Sequence, residues 1–310
     1  MSFGGRKYVI EAGPHRATVV EVGAGLQRYT AGDVDVTGTY PDDQLPPKGC
    51  GITLVPWPNR IRDGKYTFDG TEYQLPLTEP AARNASHGLG RWARWQPVRH
   101  EPDTVTLRLD IVPQNGYPFE VRAEVTYTVD AEHGLQVTQG ASNRGGARAP
   151  FGAGAHPYLS TRGHALADTT VMLPASEVLV VDDKQVPVGV RPVAGSDSDL
   201  RRGRRLRALR LDAGFTGLGT TDGRGVAEVR TPDGGARLWF DETYRFLQVF
   251  TVDALTRNRP AVAIEPMTCA PNAFNTGAGL IVLEPGGSWS GSWGIVPLPG
   301  KGRRSSRPAS

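Results

Sequence analysis

The chain has 310 residues, a formal net charge of +3, and 39 glycines and 25 prolines. The small net charge excludes a protein that binds nucleic acid mainly through its positive charge, and the glycine and proline content predicts many turns rather than long helices. No apolar run reaches the length of a membrane span and the N-terminus has no apolar signal segment, so we expect a cytoplasmic protein without a membrane partner.

Short apolar segments separated by turn residues recur along the chain. Their β-branched residues and their alternation of apolar and polar positions predict strands. In chain order the predicted strands are 8–10, 17–22, 34–36, 52–55, 65–68, 104–112, 120–129, 135–142, 171–173, 177–181, 226–231, 236–240, 246–252, 261–264, 279–283 and 288–295.

This spacing of strands predicts an all-β protein built as one large antiparallel β-sandwich. The sequence shows no convincing helix, no repeat of fixed period and no linker that would divide the chain, and we expect residues 187–210 to be irregular. The predicted domain spans residues 1–298, and the basic segment 299–310 is expected to be a disordered tail.

Glu265 is the most informative polar residue because it follows the apolar run Ala261–Ile264 and precedes Pro266. Proline cannot donate a hydrogen bond to a strand ladder, so we expect the strand to end there. A carboxylate at the mouth of an apolar core is partly desolvated, which raises its pKa and suits it to act as a general base. The alternative is that Glu265 only ends a strand and caps the turn after it.

Four further polar positions lie in glycine- or proline-containing segments beside apolar strands: Asn59 with Arg60, His87, His156 and Asp212. Taken singly, each has a structural interpretation as a surface, turn or buried polar residue. The sequence has no phosphate-loop or dinucleotide fingerprint and no nucleophile-elbow motif. The histidines are not at metal-ligand spacing and Cys50 and Cys269 form no metal-type pair, so no metal site is expected.

Five segments in this order resemble motifs of the aldose 1-epimerase (galactose mutarotase) family, and in particular its bacterial branch. They are VPWPNRIRDGKY (55–66), SHGLGRW (86–92), GAHPYL (154–159), LDAGFTGL (211–218) and EPMTCAPNAFN (265–275). The resemblance covers about residues 8–297. It implies a galactose mutarotase-like supersandwich with an open cleft. It also implies an enzyme that interconverts the α and β anomers of an aldohexose without cofactor or metal. The only partner that it implies is a small sugar, bound by a monomer or a homodimer.

The resemblance also implies roles for individual residues. Glu265 matches the general base and His156 the general acid, while Asn59, Arg60, His87, Asp212 and Gln248 match positions that hold the sugar hydroxyls and polarise the ring oxygen. Such a pair can remove the proton of the C1 hydroxyl while it protonates the ring oxygen, and each group contributes about 10²–10⁴-fold to the rate. We expect an ionised Glu265 and a protonated His156, because each charge favours the other at short distance.

Three alternatives remain open. A hexose-6-phosphate 1-epimerase would share the fold and use additional cations, for which the sequence offers Arg62, Arg83, Arg91 and Arg94. A non-catalytic carbohydrate-binding protein would keep the cleft alone. A glycoside hydrolase would pair Glu265 with Asp212 or Asp241, but it would leave the histidines without a role.

Overall fold

The computed structural model describes residues 2–256 and 259–300. These ranges form β-strands, one single-turn α-helix, α1 (Ala273–Thr276), and 3-10 helices at Pro47–Gly49, Gly90–Trp92 and Leu166–Asp168. The strands are β1 (Lys7–Ala12), β2 (His15–Val20), β3 (Gly25–Ala31), β4 (Val34–Asp35), β5 (Thr53–Leu54), β6 (Arg60–Arg62), β7 (Lys65–Phe68), β8 (Thr71–Gln74), β9 (Asn84–Ser86), β10 (Gln96–His100), β11 (Thr104–Ile111), β12 (Val121–Asp130), β13 (Gly134–Asn143), β14 (Ala149–Phe151), β15 (Gly154–Ala155), β16 (Tyr158–Ser160), β17 (Thr170–Met172), β18 (Ala175–Val181), β19 (Pro187–Pro192), β20 (Arg204–Arg205), β21 (Asp212–Leu218), β22 (Arg224–Thr231), β23 (Gly234–Asp241), β24 (Phe246–Thr256), β25 (Arg259–Met267), β26 (Ile281–Leu283) and β27 (Ser288–Pro299).

Two large antiparallel sheets dominate the fold. The first has nine strands in the order β10-β11-β12-β13-β27-β23-β22-β17-β20. The second has eight strands in the order β19-β18-β21-β24-β25-β15-β5, with β16 also paired to β25. A four-stranded sheet, β1-β2-β3-β4, and three two-stranded ribbons complete the architecture.

The side-chain alternation of the strands builds one core between the two large sheets. On β12, Val121, Ala123 and Val125 are buried while the residues between them are partly exposed. Val262 and Ile264 of β25 belong to the same buried cluster as these residues. Because successive strand residues point to opposite faces, Glu265 must lie on the outer face of the eight-stranded sheet. This arrangement confirms the predicted antiparallel β-sandwich.

The expected end of a strand at Pro266 is wrong, since β25 continues to Met267. The backbone N–H groups of Ile264 and Thr268 donate to the carbonyls of Pro157 and Ala153 on the neighbouring segment. A backbone N–H at residue 266 would point to the stretch between these two hydrogen bonds. In that stretch the ladder of β25 with its neighbour is interrupted, because β15 has ended and β16 has not begun. The proline therefore occupies a position at which the missing donor is tolerated.

Residues 187–210 are also less irregular than expected, because β19 pairs with β18 at the edge of the eight-stranded sheet. Proline stands at both ends of β19, and an edge strand tolerates proline since one of its sides needs no ladder bonds. Of the predicted tail, Pro299 ends β27 and Gly300 follows it, while residues 301–310 lie outside the described residues. No helix in the described ranges has the length and apolar character needed to cross a membrane.

Candidate active site

His156 and Glu265 lie directly opposite each other on the outer face of the eight-stranded sheet. The pairs Gly154–Met267 and Tyr158–Ala263 flank them in an unchanged register, although the ladder itself is interrupted between these pairs. Residues opposite each other on neighbouring strands point to the same face. His156 Nε2 lies 3.3 Å from Glu265 Oε1, and both side chains are almost fully buried.

Gln248 and Asp212 extend the same row of side chains across the sheet. Gln248 of β24 pairs with Glu265, and Gly214 of β21 pairs with Gln248. Gly214 has no side chain, so Asp212, two residues earlier on the same face, reaches Gln248 diagonally. The Gln248 amide donates to Asp212 Oδ1 at 2.6 Å.

Asn59, Arg60 and His87 form the opposite wall of the site. Strands β6 and β9 pair Arg60 with Ser86, which sets Asn59 and His87 side by side at the end of this ribbon. The His87 backbone N–H donates to the Asn59 carbonyl at 2.8 Å. Both residues have positive φ, 53° for Asn59 and 62° for His87. Non-glycine residues hold this conformation where the surrounding structure enforces it, often at functional sites.

The two walls meet at the histidines. The rings of His87 and His156 are 5.5 Å apart at their centroids with an interplanar angle of 66°. On its other side, His156 stacks on Tyr158 at 5.1 Å and 15°. The His156 ring is thus held between two aromatic neighbours, which fixes its orientation toward Glu265.

All seven residues predicted for the site line one cleft of about 340 Å³. A cleft of this size lies at the lower end of the usual range for small-molecule sites, about 300–1,000 Å³. Several buried polar atoms of its lining have no hydrogen-bond partner within the described chain: Glu265 Oε2, His156 Nδ1, His87 Nδ1, Asn59 Oδ1 and Arg91 Nε. Buried polar atoms are normally paired, so these donors and acceptors are available to water or to a polar ligand that enters the cleft.

Burial dominates the electrostatics of Glu265 and His156. It raises the pKa of Glu265 well above its ordinary value, to which the negative charge of Asp212 adds and which Arg60 opposes. It lowers the pKa of His156 to about 3, assisted by the positive charge of Arg60. The expected mutual promotion of the two charges does not decide their pKa values, because desolvation of both groups is the larger effect. Burial favours a protonated Glu265 beside a neutral His156.

The cleft also contains residues that are not among the seven predicted for the site. Glu79 accepts hydrogen bonds from Arg60, at 2.8 Å from Nε and 3.1 Å from Nη2. Lys48, Arg91, Trp92 and Phe250 line the cleft as well. No local pattern distinguished Glu79 from other loop carboxylates, whereas Arg91 and Trp92 lie within the motif at 86–92, whose position beside the site was a usable signal.

Other parts of the chain do not join this site. Asp241, an alternative carboxylate partner, accepts hydrogen bonds from Thr243 and from the Ser292 backbone N–H, and it does not line the cleft. A larger cavity of about 950 Å³ lies around residues 31–35, 160–163, 232–233 and 297–300, and it contains none of the predicted residues. Within the described residues, no group of three or more His, Cys, Asp or Glu side chains is arranged to hold a metal ion.

Comparison with known proteins identifies the family. A family model described as Aldose 1-epimerase matches residues 6–295. The uncharacterized protein YihR of Escherichia coli (strain K12) is 33% identical over 286 residues, which cover 92% of this chain and 91% of YihR. Galactose mutarotase of Rattus norvegicus is 32% identical over 152 residues, which cover 46% of this chain and 43% of the rat protein.

A solved structure shows the same fold. The crystal structure of the GalM/aldose epimerase homologue from C. elegans matches with a TM-score of 0.84 at 22% sequence identity, over 95% of this chain and 99% of that one. A family model that matches residues 6–295 and a relative that covers 92% of the chain lead to one conclusion. The chain belongs to the aldose 1-epimerase family.

Proposed function

We propose that this protein interconverts the α and β anomers of an aldohexose, with Glu265 as the general base and His156 as the general acid. The observation that carries the proposal is the opposed pair at the floor of the cleft, with Nε2 and Oε1 3.3 Å apart. In a hemiacetal, the C1 hydroxyl that loses a proton and the ring oxygen that gains one are bonded to the same carbon. A proton acceptor and a proton donor this close together match that requirement.

The proton balance follows from these assignments. In ring opening, Glu265 takes the proton of the C1 hydroxyl, His156 Nε2 gives a proton to the ring oxygen, and the bond between C1 and that oxygen breaks. The resulting aldehyde lies beside a protonated Glu265 and a neutral His156. Rotation about C1–C2 presents the other face of the carbonyl, and reclosure reverses both proton transfers. No proton is consumed in a complete turnover.

The burial of the pair supports this sequence of states. The protonated carboxyl and neutral imidazole that burial favours are the forms that accompany the open-chain aldehyde. The charged pair, which starts ring opening, requires stabilisation from substrate hydroxyls and from the polar wall. Five residues are assigned to hold those hydroxyls: Asn59, Arg60, His87, Asp212 and Gln248.

Polarimetry tests the proposal directly. Fresh α-glucose and α-galactose should reach their equilibrium rotation faster with the protein than in buffer, and Glu265→Gln and His156→Ala should each remove most of the acceleration. If every sugar reached equilibrium at the rate measured in buffer alone, the protein would be a non-catalytic carbohydrate-binding protein instead. Near-wild-type rates in either variant would overturn the assigned acid–base roles.

A further inference from the structure

The arginines near the site differ in what neutralises them. Arg62 pairs with Asp182, Arg83 with Asp63 and Arg94 with Glu21. In the cleft, Arg60 is held by Glu79. Arg91 also lines the cleft, but among the described residues it forms no ion pair. Of the four arginines offered by the sequence for an anionic substrate, only Arg91 therefore presents an uncompensated guanidinium to the cleft.

The Arg91 side chain is half-buried, and one of its nitrogens lacks a hydrogen-bond partner. Its Nε is buried without a hydrogen-bond partner, and no other arginine nitrogen of the described chain is in this position. Its guanidinium carbon lies 5.4 Å from the centroid of the Trp92 ring, a contact that limits its motion. A charged donor withdrawn from water is costly unless something pairs with it. The unpaired guanidinium thus indicates a ligand group that accepts charge-assisted hydrogen bonds.

The position of Arg91 relates it to one end of the sugar. Arg91 and His87 lie on the segment that follows β9 and line the same cleft, and the His87 ring packs against His156. In a hexopyranose, the ring oxygen that His156 protonates is bonded to C5, which carries C6. A sugar held with its ring oxygen at His156 can direct its C6 substituent toward the wall that contains His87 and Arg91.

A second cation reinforces the positive character of the cleft. Lys48 forms no ion pair within the described ranges, and its Nζ lies 5.8 Å from the centroid of the Phe250 ring. The cations Lys48, Arg60 and Arg91 outnumber the carboxylates Glu79 and Asp212 in the cleft. The remaining carboxyl, Glu265, is favoured in its neutral form by burial. Two cations without a carboxylate partner in a narrow cleft attract anions.

We propose that Arg91 binds an anionic group at the C6 end of the sugar, so that the preferred substrate is an acidic hexose rather than a neutral one. This inference rests on the proposed function. The shared chemistry is an oxyanion that can accept two parallel N–H bonds from a guanidinium, as carboxylates, sulfates and phosphates do.

Binding of sugars that cannot react tests the inference without catalysis. 1,5-Anhydroglucitol lacks the C1 hydroxyl, and calorimetry would compare it with its 6-phosphate and 6-sulfate and with the corresponding 6-carboxylate. The wild-type protein should bind at least one anionic form about 10–100-fold more tightly than the neutral form, as expected for a hydrogen bond to a charged group. Arg91→Gln should abolish that preference and leave affinity for the neutral form within a few-fold. Arg94→Gln, which changes an arginine paired outside the cleft, should preserve it.

Mutarotation rates separate the two proposals. Glucose, glucuronate, glucose 6-sulfate and glucose 6-phosphate would be compared by NMR exchange, and the anion that benefits most identifies the group. Catalysis of all four sugars with equal kcat/KM, or equal losses on neutral and anionic sugars in Arg91→Gln, would overturn the acidic-sugar inference while the anomerase function stands. Tight binding of the anionic anhydroglucitol without acceleration of any sugar would overturn the proposed function and retain the anion site.

Discussion

Glu79 holds the guanidinium of Arg60 in a two-point hydrogen bond, through Nε and Nη2, at the rim of the cleft. This fork fixes the plane of the guanidinium and leaves Nη1 available to a ligand. Glu79 is therefore a positioning residue that acts through Arg60, and it has no counterpart among the residues predicted from the sequence.

Glu79→Gln should raise KM for the sugar by about 10-fold, since a neutral amide cannot replace two charge-assisted hydrogen bonds worth about 1.5–3 kcal/mol each. The kcat should change less, because the acid–base pair is untouched. Initial-rate kinetics with Glu72→Gln as the control would measure the effect, since Glu72 pairs with Lys65 at an exposed position. An unchanged KM would show that Arg60 does not depend on Glu79.

Gly214→Ala should impair the site through Gln248. A Cβ at this position would lie 2.7 Å from Leu179 Cδ1 and 3.2 Å from Gln248 Oε1, so both side chains must move. Small-to-large changes in packed regions cost about 1–3 kcal/mol, and displacement of Gln248 should lower kcat/KM by about 10-fold. Gly189→Ala on edge strand β19 is the matched control, since its Cβ would meet nothing within 4 Å. Equal behaviour of the two variants in kinetics and urea unfolding would contradict the prediction.

Glu265→Gln should inactivate the enzyme by about 10²–10⁴-fold and stabilise the fold at neutral pH. Burial raises the pKa of Glu265 in the folded state, so the carboxyl favours the fold at pH values below its unfolded pKa. That contribution is lost as the pH rises through the folded-state pKa. Relative to wild type, the variant should gain stability between pH 4 and pH 8 in denaturant titrations. A wild-type protein that is more stable than the variant at pH 8 would contradict this assignment.

His156→Asn should make the fold less sensitive to acid. Burial lowers the pKa of His156 from its ordinary 6.5 to about 3, so the neutral imidazole contributes stability above pH 6.5 that is lost as the pH falls toward 3. The variant should take up fewer protons on unfolding in this range, by at most about one. Unfolding free energies measured from pH 7 to pH 4 would show a shallower slope than for wild type.

The fold class could be predicted from the sequence because strand alternation and turn residues are local signals. Val262 and Ile264 alternate with Ala263 and Glu265 within a few residues, so their burial on one face follows from the period of a strand. The continuation of β25 through Pro266 could not be predicted. It depends on an interrupted ladder with a segment more than 100 residues away in the chain, and no local pattern reports such a partner.

The site residues were predicted as a set because their motifs resemble those of a family, whereas their geometry required the structure. The sequence places Glu265 beside a core, but only the register shows that His156 stands opposite it. The direction of the pKa shifts was missed for the same reason. Attraction between two charges can be guessed from their residue types, but desolvation depends on how completely the surrounding loops cover them.

The two faces of β25 have different roles: one packs in the core and the other lines the cleft. Val262 and Ile264 serve the packing between the sheets, while Glu265 and its row meet the solvent-side loops that carry Asn59, Glu79, His87 and Arg91. Because Val262 and Ile264 point away from those loops, we expect changes in the length or composition of the loops to leave the inter-sheet packing intact. We therefore expect substitutions in the loops at 46–49 and 79–92 to alter which sugars the cleft accepts without displacing Glu265 and His156.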